Sequence, residues 1–96
     1  MSYGIIVQEL ASQLDNHIVA YDNLPQRGGC ILYFDAPMRR VEVSRDALDL
    51  GATTVATFVR QLLIDAPLSN GRCSVGARDG GLVLLDDEKI VVGNPL

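Results

Sequence analysis

Residues 71–93, GRCSVGARDGGLVLLDDEKIVVG, carry the fold decision. The segment holds glycines around an Arg-Asp pair, an apolar run, and three consecutive acids. It has three possible meanings: a phosphate-cradling loop, an acidic metal site, or two turns in a small sheet. A phosphate loop takes a strand, then a glycine loop with a lysine, then a helix whose N-terminal N–H groups face the anion. Here the glycines run into Leu82-Val83-Leu84-Leu85, a strand, and the Lys-Ser/Thr pair is missing. Cys73, Val75 and Ala77 alternate with Ser74, Gly76 and Arg78, the period of a half-buried strand. Between the two runs, Arg78-Asp79-Gly80-Gly81 offers the positive φ that a tight hairpin requires, at Gly80 or Gly81. The segment is therefore predicted to be a hairpin over 72–85, a polar turn at 86–89 and a last short strand at 90–92.

Working outward from the hairpin, Pro67 stops a helix, because its ring cannot continue one. That helix carries Val55, Phe58, Val59, Leu62 and Leu63 at i, i+3, i+4, i+7 and i+8, with Thr53 or Thr54 as its cap. DALDLG (46–51) reads as a connection. Before it, RRVEVSR (39–45) alternates as a half-buried strand, and CILYFD (30–35) is apolar without a break, as a central strand is. NLPQRGG (23–29) is loop and HIVAYD (17–22) a short β-branched strand. Ser2 caps a first helix over 3–14, whose Ile6, Val7, Leu10, Ala11 and Leu14 share one face. The fold class is α+β: one domain over 1–96, an antiparallel sheet of five to six short strands and two helices on one face, in the order α-β-β-β-α-β-β-β.

Composition narrows the function. Nearly half of the 96 residues are hydrophobic, 21% are charged, and the net charge is −4 with a pI near 4.6. Nucleic-acid affinity comes mainly from Lys and Arg neutralising phosphates. Eight scattered basic residues against twelve acids argue against a nucleic-acid partner and against anionic membrane surfaces, and Arg39-Arg40, the one basic doublet, reads as a solvated turn. MSYGIIVQEL has no basic leader and only a three-residue apolar run, so neither a signal peptide nor a membrane span is expected and the cytoplasm is the default location.

No catalytic, cofactor or metal residues are assigned. A calcium loop spaces oxygen ligands across about a dozen residues, whereas Asp86-Asp87-Glu88 are contiguous and read as a turn that blunts a sheet edge. His17 is the single histidine, and Cys30 and Cys73 lie within strands, where burial raises a thiol pKa instead of activating it. Zinc takes about four ligands in spacings absent here. The chain is expected to be a non-enzymatic protein that works through its surface.

In this element order the chain resembles a class I type III secretion chaperone. The resemblance runs from about residue 5 to 87 and rests on IIVQELASQL as first helix, GGCILYFDAPMRRVEV as central hairpin, TTVATFVRQLL as second helix and CSVGARDGGLVLLDD as second hairpin. It implies a small acidic cytoplasmic protein that binds a partner polypeptide, such as a secreted effector segment, through apolar surface. It also implies a homodimer formed through the second helix. The family ends in a third helix, whereas EKIVVGNPL after Asp87 reads as strand and tail. GGCILYFD, TTVATFVRQLL and GGLVLLDD also occur in the order seen in ubiquitin-related modifiers, the β-grasp sulfur carriers. Their chemistry needs a C-terminal Gly-Gly, where this sequence reads GNPL. A small phage- or plasmid-encoded inhibitor is the remaining alternative. The expected partner or dimer interface is Val55, Phe58, Val59, Leu62, Leu63 and Ile64, a stripe wider than one sheet face need cover.

Overall fold

A computed structural model describes residues 3–24, 26, 28–34, 39–65, 73–86 and 89–93. The elements are α1 (Tyr3–Gln13), β1 (Ile18–Leu24), β2 (Gly29–Phe34), β3 (Arg39–Val43), α2 (Arg45–Leu48), α3 (Ala52–Asp65), β4 (Cys73–Arg78), β5 (Gly81–Asp86) and β6 (Lys89–Gly93). The class is α+β, as the sequence implies.

The six strands form one sheet in sequence order, with β1 and β6 at its edges. Tight connections make β1–β2, β2–β3, β4–β5 and β5–β6 antiparallel. The middle pair corrects the all-antiparallel expectation: β3 and β4 are parallel, with Val41 beside Cys73 and Val43 beside Val75. The physical reason is the crossover. Helices α2 and α3 carry the chain back to the end of the sheet where β3 began, so β4 sets out in the same direction.

The second correction is α2, one turn of helix where a plain connection was expected. Ser44 has extended backbone and its Oγ accepts a bond from the Ala47 N–H at 3.2 Å, which caps the turn. Ala47 and Leu48, both fully buried, tie α2 to the core.

One core lies between the helices and one sheet face. Strand alternation sends Cys30, Leu32 and Phe34, Val41 and Val43, Cys73 and Val75, and Leu82 and Leu84 to that face. Helix α1 meets them with Val7 and Leu10, Leu14 just past its end joins them, and α3 meets them with Val55, Ala56, Val59 and Leu62. The two helices also pack on each other. There the Arg60 guanidinium donates to the Gln13 carbonyl at 3.2 Å and the Gln13 amide donates to Thr53 Oγ1 at 3.0 Å.

The β4–β5 hairpin has the expected turn. Gly80 has φ +81, and Asp79 before it has φ +54. Positive φ at both central residues is the signature of the type I′ turn, whose twist matches that of the flanking strands. Gly29 meets a different demand. A Cβ there would collide with the Val43 carbonyl, so only glycine lets β2 approach the end of β3.

Candidate protein-binding surface

The predicted interface stripe divides in two. Val55 and Val59 are fully buried and Leu62 is 3% exposed, all within the chain's own core. They are corrected from interface to core residues. Positions i, i+4 and i+7 lie along one line of a helix, and that line of α3 points at the sheet. Phe58 and Leu63, on the flanks of that line, are half-buried against the core. Ile64 lies in α3, but its side chain falls outside the described residues. Beside Phe58, an open notch is lined, among the described residues, by Thr53, Thr54, Thr57, Gln61 and Leu82, none of them charged.

A second surface has no counterpart in the sequence reading. Three large apolar side chains are exposed among the described residues: Ile5 at 73%, Val19 at 65% and Tyr21 at 37%. They sit where α1 meets edge strand β1. Tyr21 pairs with the core residue Leu32, so it lies on the helix-covered side of the sheet. Gln8, Ser12 and Asp15 of the α1 segment and Val19 and Tyr21 of β1 line an open groove of about 680 Å³. Ile5 precedes Gln8 by three positions, so it extends the same wall toward the start of α1. The available sequence signals were slight. Ile5 falls off the apolar stripe of α1, and Val19 and Tyr21 alternate in a short strand. Only the strand order reveals that β1 is an edge of the sheet.

The candidate chemical groups are dispersed. Cys30 is fully buried, and its thiol is pushed up to about 12, first by burial and then by the nearby Glu42 carboxylate. Cys73 is buried on β4, His17 is exposed in the turn after α1, and the two cysteines are not joined in a disulfide. Among the described residues, no three His, Cys, Asp or Glu side chains converge as a metal-ligand set. Asp86 closes β5 with its side chain outside the described set, and the rest of the predicted acidic turn, at 87 and 88, lies outside it entirely. No helix among the described residues is long and apolar enough to cross a membrane. Comparison with protein-family models, with curated proteins and with solved structures gives no match.

Proposed function

We propose that the chain is a non-enzymatic protein-binding module of the secretion-chaperone kind, which holds a partner polypeptide on apolar surface. One observation carries this reading. Of the three large apolar side chains exposed among the described residues, Val19 and Tyr21 line one groove between α1 and β1, and Ile5 lies on α1 one turn before Gln8 of its wall. Single exposed apolar residues are ordinary, but a contiguous group beside an open sheet edge marks a place of association. The test is affinity capture from the native cell with the parent chain, an Ile5→Glu/Val19→Glu variant and, at an exposed position away from both proposed surfaces, an Arg78→Glu control. The expected result is a partner retained by the parent and by Arg78→Glu and lost with the rim variant. Equal retention by all three would refute the rim as the binding surface.

A second copy is the further partner we propose, seated on the outward flank of α3. The favouring observation is the uncharged notch around Phe58 and Leu82. In a chain with one charged residue in five, a helix flank presenting three threonines, a glutamine and a half-buried phenylalanine shares the charge depletion of an interface core.

A further inference from the structure

We infer that the α1–β1 rim takes an extended polypeptide segment that adds as a seventh strand beside β1 and alternates apolar with basic side chains. This rests on the rim being the polypeptide-binding surface and goes on to state its mode and its chemistry.

The mode follows from the edge. Strand β1 ends the sheet, and five of its seven residues, Val19 to Asn23, are exposed. An edge strand presents N–H and C=O groups that its own sheet does not use. Proteins commonly blunt such edges with proline, lysine or a bulge. Strand β1 has no proline and no lysine, and its one irregularity lies between Ile18 and Ala20. From Ala20 to Leu24 the register with β2 is unbroken, so the outer side of the strand is regular enough to template another. An added strand would set alternate side chains over the groove, against Val19 and Tyr21, and the others on the opposite face, beside Asp22.

The chemistry follows from charge. Residues 1–26 contain Glu9, Asp15 and Asp22 and not one Lys or Arg. Glu9 turns toward α3, where its carboxylate accepts from the Gln13 amide that also reaches Thr53, so the rim acids are Asp15 and Asp22. Asp15 lines the groove, and Asp22 lies on the edge strand itself, where its Oδ2 accepts a bond from the Tyr33 hydroxyl at 2.8 Å. Arg60 reaches α1 from the α3 side, away from the groove. A basic side chain opposite Asp22 forms a favourable cross-strand pair, and an acidic one an unfavourable pair. The same charges disfavour a second copy at this place. Two β1 strands paired about a twofold axis would bring Asp22 and Asp15 of both rims together, with no Lys or Arg from residues 1–26 of either chain to offset them.

Two short synthetic peptides test this, one alternating valine with lysine and the other valine with glutamate. Amide hydrogen exchange and amide chemical shifts of residues 18–24 are followed in the full chain. The expected result is slowed exchange at alternate β1 amides with the lysine peptide, about tenfold tighter binding of it than of the glutamate peptide, and weakening by salt. Asp15→Lys together with Asp22→Lys should reverse the preference. Should the double variant fold poorly by circular dichroism, Asp15→Lys alone should still shrink it. Rim side chains that respond while β1 exchange stays unchanged, or equal binding of both peptides, would overturn the inference and leave the rim as a binding surface. Peptides that do not bind, or that perturb only the α3 flank, would overturn both.

Discussion

Gly29→Ala probes the geometry on which the edge depends. Gly29 faces Leu24 of β1 on one side and approaches the backbone of Val43 in β3 on the other. The added Cβ would lie closer to the Val43 carbonyl oxygen than the 3.0 Å that real Cβ atoms keep. The obstacle is backbone held in a β-ladder, so it cannot swing aside as a flexible side chain would. Overpacking costs about 1–3 kcal/mol, and a backbone collision belongs at the upper end. A loss of about 3 kcal/mol is a large fraction of the roughly 5–15 kcal/mol available to a domain. At this size it corresponds to a fall in Tm of about 12–24 °C. Gly76→Ala is the internal control: it lies in β4, and its Cβ would meet Leu85 Cδ1 at an ordinary 3.5 Å. Its change should stay within about 0.5 kcal/mol, because the contact is unstrained and alanine restricts the unfolded chain. Urea unfolding followed by circular dichroism measures both, and a shared m-value shows that the midpoints report stability. A Gly29→Ala variant as stable as the parent, or a Gly76→Ala variant equally damaged, would refute the β2–β3 register.

Three further outcomes are expected. Gly80→Val should cost about 1 kcal/mol or more in the same unfolding assay, since a β-branched residue resists φ +81. The Cys30 thiol should be inert to an aromatic disulfide reagent until the chain unfolds. Its folded pKa, near 12, is above the unfolded value of 9.0, so its share of stability is whole below about pH 9 and is lost as pH rises toward 12. A Cys30→Ala variant should therefore show a shallower alkaline decline. Light scattering should give twice the 10.4 kDa chain mass, and Phe58→Asp should halve it with circular dichroism retained; a parent mass of 10.4 kDa at high micromolar concentration would refute the dimer.

Periodicity carried most of the fold because α1, α3, β3 and β4 each turn one face to the core, while β2 and β5, buried on both faces at Ile31 and Val83, read as unbroken apolar runs. The α1 stripe Val7, Leu10, Ala11 and Leu14 is buried as its spacing demands, and the 78–81 turn follows from Asp-Gly chemistry alone. Helix α2 escaped because four residues are too few to show a 3.6-residue period; its signal is the Ser44 hydroxyl, legible only as a possible cap. The parallel β3–β4 pair escaped because alternation assigns a strand its faces but not its neighbours. The length of the crossover between Val43 and Cys73 was the clue, since parallel neighbours need a dozen or more connecting residues. On α3, spacing found the right residues and overstated their width: the line through Val55, Val59 and Leu62 is consumed by the core, which leaves Phe58 and Leu63 at its margins.

The two proposed surfaces lie on opposite flanks of the helix pair, so occupation of one need not block the other. The groove belongs to the β1 side of α1, lined by Gln8, Ser12 and Asp15, whereas the uncharged notch belongs to the far side of α3, at Thr54, Thr57 and Phe58. The Gln13–Thr53 and Arg60–Gln13 hydrogen bonds hold α1 to α3, and Thr53, at their α3 end, forms one border of the notch. A twofold pair formed through α3 would thus carry two rims, each with its own open β1 edge. Two polypeptide segments, or two stretches of one long segment, would then bind the same assembly. For a single long segment, the second contact becomes intramolecular, and tightening depends on whether its linker spans the distance between the rims. A dimer-splitting change at Phe58 should then weaken a long bivalent segment while leaving a short one unaffected. That separation follows because Phe58 touches neither the groove nor the edge strand, and the short segment needs only one rim.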